Sequence, residues 1–257
     1  MEWTAPAIVL DARMFGENDA LVSLLTEAEG RQRGIARGGA SRRQVSLWQP
    51  GNLVQARGLR RLADQLGTLS GELVHPGAAL AMDDALALAV LASACAVADG
   101  VLPDHEPHPQ AFGGLLQVLA GLGSGPVHFM PDLVRWEAVL LAELGYGLDL
   151  ASCAVSGAAD DLAYVSPRTG RAVGRAAAGE WAPRLLPLPP FLAESAAPSP
   201  AASNPAGSSP ADSGPADWRD GLRLTGHFLA RDAFGTRHRP LPAARLRLYD
   251  RVAEMAA

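Results

Sequence analysis

The segment AIVLDARMFGENDALVSLLTEAEGRQRGIARG, residues 7–38, contains the pattern that decides the fold of the N-terminal part of the chain. Short runs that are apolar or alternate in polarity are separated by turn sequences at Phe15–Asp19 and Glu29-Gly30. With the residues that follow, they predict five strands: Ala7–Arg13, Ala20–Thr26, Arg31–Gly38, Leu53–Leu59 and Leu66–Val74. Five short strands in so few residues are typical of a small barrel of the OB type.

The third predicted strand alternates arginine with small residues. This period of two places its arginines on one face and its glycines and alanine on the other. We expect the small face to approach another backbone closely and the arginine face to remain in solvent. Gly38–Ser41 is predicted to be a flexible tip, with Arg42 and Arg43 just beyond it.

Positive charge is concentrated between Gly30 and Ala63, a segment that holds eight arginines and no acidic residue. The whole chain has 22 basic and 27 acidic residues, a net charge of −5, and removing the segment leaves 14 against 27, or −13. Such a concentration attracts a polyanion. With Arg13, these residues are the candidate nucleic-acid-binding side chains: Arg31, Arg33, Arg37, Arg42, Arg43, Arg57, Arg60 and Arg61.

Two other interpretations of the arginines stay open at this point. They could form a solvated charged face, or they could pair with acidic residues from the helical part of the chain. Trp48 and Phe15 are candidates for stacking on bases, although each is more typical of a core or barrel-end residue.

The composition excludes several reaction classes. The chain has no lysine, as codon use in a GC-rich genome explains, so it has no standard Walker-A loop and no Schiff-base lysine. Cys153 and Ser156 have the spacing of half a zinc ribbon with one thiolate missing, and no second pair follows, so we predict no metal. No catalytic motif is recognisable, and we expect neither a catalytic residue nor a cofactor.

Other polar residues have plain structural explanations. His105 and His108 are expected to be a solvent-exposed pair in a proline-rich loop. Asp83-Asp84 is interpreted as favourable charge at a helix N-terminus, and Asp160-Asp161 as turn-forming. Cys95 is expected to be a small buried hydrophobe.

The N-terminus lacks the basic and apolar pattern of a signal peptide, and the longest apolar stretch, Ala85–Ala98, is too short to cross a bilayer. Because the two cysteines also fit a reducing compartment, we expect a cytoplasmic protein without a membrane contact.

Composition changes after residue 76, so residues 1–76 are predicted to be one domain and residues 77–257 a second, mainly α-helical one. The whole is therefore predicted to be an α+β protein. Within the second domain, residues 148–192 are predicted to contain a small hairpin, Leu162–Val165 with Arg171–Val173, and residues 193–217 a disordered insert. The predicted helices are Ala78–Asp99, Gln110–Leu122, Pro131–Leu144, Trp218–Phe234 and Leu241–Ala253.

Several motifs, in this order and spacing, resemble the bacterial RecO family, in its α-proteobacterial form. The opening Ala7–Asp19, the arginine-bearing stretch to Arg43, and Leu144–Cys153 carry the resemblance, as do Tyr164–Val173 and the C-terminal Leu222–Arg245. It covers almost the whole chain except the insert.

This resemblance implies an N-terminal OB fold, a helical domain and a ribbon that binds zinc in some members. It implies binding of single- and double-stranded DNA, annealing of complementary strands, partnership with RecR and contact with the C-terminal tail of single-stranded-DNA-binding protein. Through these, RecA would replace that protein on DNA in the bacterial nucleoid. Three of the four ribbon thiolates are absent here, so the ribbon would be a metal-free, degenerate one.

A different function class competes with this one. The arginine-rich face could bind an acidic partner protein, which would make the chain an interaction scaffold for which DNA is irrelevant. An enzyme is the third class, which a requirement for metal or nucleotide turnover would support.

Overall fold

The computed structural model of the protein describes residues 2–60, 66–195 and 213–257. These form two compact units, Met1–Ser124 with Pro242–Arg245, and Gly125–Leu241 with Leu246–Ala257. The candidate residue Arg61 and most of the predicted insert lie outside the described residues.

The first unit begins with five strands that pair in the closed order β1-β2-β3-β5-β4. They are β1 (Glu2–Phe15), β2 (Asp19–Thr26), β3 (Gly30–Ala36), β4 (Leu53–Leu59) and β5 (Gly67–His75). Strand β1 is long enough to pair with β4 through its first half and with β2 through its second half. The prediction of a mixed α+β protein with five N-terminal strands and a mainly helical remainder is confirmed.

Closure depends on glycine where β3 runs parallel to β5. A Cβ atom on Gly34 would lie 2.8 Å from the carbonyl oxygen of Gly67, so no other residue fits without a shift. The expectation that the small face of this strand approaches another backbone is confirmed. Trp48 is 2% exposed and belongs to the barrel core, which excludes it as a base-stacking residue in this conformation.

The segment predicted to be a flexible tip is instead fastened to the barrel. The backbone N–H of Gly38 donates to Asp19 Oδ1 at 2.8 Å, and that of Ala40 donates to the carbonyl of Asn18 at 2.9 Å. At the far end of the same connection, Asn52 Nδ2 donates to the carbonyls of Ser46 and Leu47. Residues 37–48 therefore follow a series of turns held from both sides.

The long helix predicted over Ala78–Asp99 is two helices, α1 (Gly77–Leu80) and α2 (Ala85–Val101). Asp84 separates them because its backbone is extended and its Oδ1 accepts the N–H groups of Leu86 at 2.7 Å and Ala87 at 3.2 Å. This is an N-cap, which satisfies backbone donors that lack a partner within the helix.

Helix α3 (Pro109–Ala120) agrees with its prediction within two residues, and a short 3₁₀ turn, Gly121–Ser124, follows it. Helix α4 (Pro126–Glu143) begins five residues earlier than predicted, because Pro126 rather than Pro131 occupies the first turn. Pro131 is thus inside the helix.

The second unit continues with a three-stranded sheet in the order β7-β6-β8: β6 (Leu162–Val165), β7 (Ala172–Gly174) and β8 (Leu186–Pro187). The predicted hairpin is confirmed, with a third strand added. Its apolar side chains, including Leu162, Tyr164 and Val173, pack around Cys153. Two short helices flank β8: α5 (Arg175–Ala178) and α6 (Pro190–Ser195).

The C-terminal helices are α7 (Pro215–Phe228), continued by a π-helical turn at Leu229–Phe234, and α8 (Ala243–Met255). The prediction of disorder is wrong at both ends of residues 193–217, because α6 extends to Ser195 and α7 begins at Pro215. Ser213 Oγ accepts the indole N–H of Trp218 at 3.1 Å, which orders the approach to α7.

We predict that Asp84→Ala lowers the free energy of unfolding by about 1 kcal/mol, because the amides of Leu86 and Ala87 lose their acceptor. Asp83→Ala is the matched control, since Asp83 is an exposed neighbour of the same charge that caps nothing. It should change stability by less than about 0.5 kcal/mol. Urea unfolding of both variants measures the difference, and equal losses would contradict the capping role.

Candidate nucleic-acid interface

The arginine face of β3 is only partly exposed to solvent: Arg33 is exposed, as the sequence predicted, whereas Arg31 is buried, which corrects the prediction. Arg31 is only 6% exposed. Its Nε donates to Asp104 Oδ1 at 2.8 Å, and its Nη1 donates to the Asp99 carbonyl and lies 3.4 Å from Asp99 Oδ1. Asp99 is in α2 and Asp104 follows it, so the interpretation that some arginines pair with acids of the helical region is correct here.

This buried pairing also fixes the loop after α2. The backbone N–H of His105 donates to the Arg31 carbonyl at 2.9 Å, and Ser23 Oγ donates to Asp99 Oδ1 at 2.6 Å. Burial, followed by the nearby charge of Arg33, lowers the pKa of Arg31 from its ordinary value, although a guanidinium stays protonated. Arg31 is therefore a structural residue that joins the barrel to the helices of the same unit.

Three further candidates are paired at the surface. Each lies in an exposed ion pair with one carboxylate: Arg13 with Asp11, Arg37 with Asp19, and Arg57 with Glu2. The Gly38 N–H and the Arg37 guanidinium both lower the pKa of Asp19, so this carboxylate stays charged near neutral pH. Each pair presents little net charge to a distant polyanion.

Arg42 and Arg43 are different. Both are exposed on the turns between β3 and β4, and no carboxylate among the described residues forms an ion pair with either. Their neighbours Gln44, Val45 and Ser46 are exposed and uncharged. This turn is the part of the predicted surface whose positive charge is not balanced by a described neighbour.

A groove of about 260 Å³ opens on the barrel where β3 and β5 meet β1 and β4. It brings together two of the predicted arginines, Arg33 and Arg60, with residues that sequence reasoning did not select. The groove is lined by the side chains of Trp3, Gln32, Arg33, Arg60 and His105, among others.

His105 is held on two sides. Its Nε2 lies 2.6 Å from Arg60 Nη1, and its Nδ1 lies 3.0 Å from Gln32 Oε1. Because a guanidinium only donates, Nε2 is the acceptor and the proton is on Nδ1, which donates to Gln32. Partial burial, followed by the charge of Arg60, lowers the pKa of His105 from 6.5, so the ring is neutral near pH 7.

The prediction that both loop histidines are solvent-exposed is correct for His105 and wrong for His108. His108 is 6% exposed, and His105 lines the groove. Only a weak signal marked His105, which is a histidine between Asp104 and Glu106 in a loop. Nothing in the local sequence indicates that residues 104 and 105 lie against β3.

Comparison with known proteins finds two family models that match this chain. A family model described as Recombination protein O N terminal matches residues 1–76, and one described as Recombination protein O C terminal matches residues 82–240. DNA repair protein RecO of Granulibacter bethesdensis is 58% identical over 255 residues, which cover 99% of this chain and 97% of the relative. The chain belongs to the RecO family.

Other RecO proteins match over similar lengths. That of Acidiphilium cryptum is 58% identical over 98% of this chain and 96% of its own length. That of Rhodospirillum rubrum is 45% identical over 100% of this chain and 98% of its own length. The family resemblance found in the sequence is confirmed, and the family is one of DNA repair proteins.

The residues matched by the RecO C-terminal model include the half-ribbon at Cys153. Its Sγ accepts the N–H groups of Gly174 at 3.2 Å and Ser156 at 3.5 Å, and these donors lower the pKa of the thiol to about 6. In the described ranges no three His, Cys, Asp or Glu side chains are grouped so that they could hold a metal. Cys95, by contrast, is buried, and burial raises its pKa to about 12.

Within residues 2–60, 66–195 and 213–257 of this RecO chain, no helix combines the length and the apolar character needed to cross a membrane.

We predict that Arg31→Met destabilises the protein by about 3 kcal/mol, because Asp99 and Asp104 would lose a buried counter-charge. Arg13→Met removes an arginine from an exposed pair and should cost less than about 1 kcal/mol. Chemical denaturation of the two variants tests this. If Arg31→Met were as stable as Arg13→Met, Arg31 would not hold the loop.

The neutral state of His105 predicts a pH dependence of stability. Its folded-state pKa is lowered, so its contribution is complete above about pH 6.5 and is lost as the pH falls through the folded-state pKa. Between pH 7 and pH 5 the unfolding free energy of the wild type should therefore fall more than that of His105→Gln. Parallel slopes for the two proteins would show that the histidine is not held neutral.

Proposed function

We propose that this RecO protein binds single- and double-stranded DNA through its N-terminal barrel and anneals complementary strands. The observation that supports this most directly is the exposed, carboxylate-free position of Arg42 and Arg43 among the described residues. Guanidinium groups bind phosphate oxygens in pairs, and each neutralised phosphate releases counterions.

Not all of the arginines predicted from the sequence are free to bind phosphate. Arg31 is buried, and Arg13, Arg37 and Arg57 already have carboxylate partners. The phosphate-binding role is therefore assigned to Arg42 and Arg43, with Arg33 and Arg60 in the groove. Annealing would follow because positive side chains between two strands reduce the repulsion between their phosphates.

We assign the barrel to the OB type, which its five strands and its closure through parallel β3 and β5 support. The sheet of β6, β7 and β8 is proposed to be a degenerate ribbon held by apolar packing instead of zinc. OB barrels with a basic groove suit single strands, since unstacked bases then reach aromatic or guanidinium planes.

The wider role is proposed from the family. The protein would work with RecR, contact the C-terminal tail of single-stranded-DNA-binding protein, and help RecA replace that protein on DNA in the bacterial cytoplasm. It would do so by binding alone, without catalysis, a proposal supported by the absence of a Walker-A lysine. The tail, which is acidic and apolar, would need a hydrophobic groove with a basic rim.

The double variant Arg42→Gln with Arg43→Gln should weaken binding to single strands of every sequence. Two lost phosphate contacts reduce the slope of log K against log salt by about 1.4 for single strands. Fluorescence anisotropy with labelled oligonucleotides at several salt concentrations measures both effects.

Arg13→Gln is the matched control, because it removes an exposed arginine whose charge Asp11 already balances. Its affinity and salt slope should stay close to those of the wild type. A wild type that fails to bind DNA at low salt would favour the alternative, a scaffold whose arginines meet an acidic protein. Binding that depends on sequence but not on salt would contradict the electrostatic mechanism.

A further inference from the structure

The groove on the barrel has an aromatic wall. Trp3 in β1 is half-buried and lies directly opposite Gly58 in β4. A Cβ atom on Gly58 would come within 2.3 Å of the indole ring, so the absence of a side chain lets the ring lie against the strand. The ring is also packed against the barrel core, which fixes its position while it lines the groove.

Arg33 supplies hydrogen-bond donors beside this wall. Its guanidinium lies 3.7 Å from Asp99 and 3.8 Å from Asp104, which is close enough for attraction but too far for a hydrogen bond. Its side chain is 40% exposed and makes no hydrogen bond with another described residue. Its N–H groups are thus oriented by two carboxylates and remain available to a ligand.

The opposite edge of the groove carries both hydrogen-bond donors and hydrogen-bond acceptors. Arg60, His105 and Gln32 form the fixed hydrogen-bonded row described above, whereas Glu2 and Glu29 add carboxylates to the lining. A site for phosphate alone would gain nothing from carboxylates, since like charges repel. A lining with donors, acceptors and an aromatic ring instead matches a nucleobase, which has a flat face and an edge of both donors and acceptors.

We propose that this groove holds one unstacked nucleobase of single-stranded DNA, with Trp3 as the stacking surface and Arg33 on the adjoining phosphate. This rests on the proposed function only in taking DNA as the ligand. A duplex cannot fill the groove without unstacking a base, which costs free energy. The groove therefore makes the protein prefer single-stranded DNA, whereas Arg42 and Arg43 contribute to the binding of both single- and double-stranded DNA.

Tryptophan fluorescence tests the stacking directly. Trp48, Trp136 and Trp218 are at most 3% exposed, and Trp181 is 56% exposed. In full-length Trp181→Phe, Trp3 is then the partly exposed tryptophan among the described residues. An oligothymidine of about 20 nucleotides, longer than the site of one OB fold, should quench its emission at saturation.

An abasic chain of the same length is the control, because it has the phosphates without the bases. It should bind but leave the Trp3 emission nearly unchanged. Equal quenching by both chains would overturn the proposal, since the change would then come from charge or from a general rearrangement.

Affinity gives the second test, independent of fluorescence. Arg33→Gln should weaken binding to the oligothymidine about tenfold and to a duplex of equal length less than about twofold. Arg42→Gln should weaken both to a similar degree. If Arg33→Gln weakened both forms equally while the wild type still bound DNA, the groove proposal would fail and the proposed function would stand. If the wild type bound neither form, both would fail.

Discussion

The buried guanidinium of Arg31 is the interaction on which the arrangement of the first unit depends. A cation leaves water only where fixed negative groups replace its hydration, and Asp99 and Asp104 do this from the end of α2 and the loop that follows. Because the same residue's carbonyl holds the His105 amide, the ion pair also determines where the edge of the groove lies. Arg31, which the sequence predicted to be a DNA-binding residue, is thus a structural residue that supports the edge of the groove.

Local sequence patterns were sufficient to predict much of the fold. Alternation and turn residues predicted the five strands, and the small face of β3 predicted the close approach that Gly34 makes to β5. Where one long helix was predicted after residue 77, a single side chain decided the outcome. Asp84 divides one apolar run into two helices, because its backbone is extended and its side chain accepts the N–H groups of Leu86 and Ala87.

The candidate site was harder to predict because its determinants are not local. Arg31 and its two acids are 68 and 73 positions apart, and periodicity reports only which face a residue occupies, not what faces it. The 34-residue segment contains no acidic residue, but acidic residues from elsewhere in the chain pair with several of its arginines. Its sequence therefore overstates the positive charge of the surface. The groove residues Trp3 and His105 were missed for the same reason, since each is unremarkable beside its sequence neighbours.

The fastening of residues 37–48 has a thermodynamic consequence. Asp19 and Asn18 hold the start of these turns and Asn52 holds their end, so the backbone that carries Arg42 and Arg43 gives up its freedom when the barrel folds. An encounter with a flexible polymer then has to order only the two long side chains and the polymer itself. The ordering penalty on the protein side is paid in advance, and a mobile hairpin with the same two charges would bind more weakly.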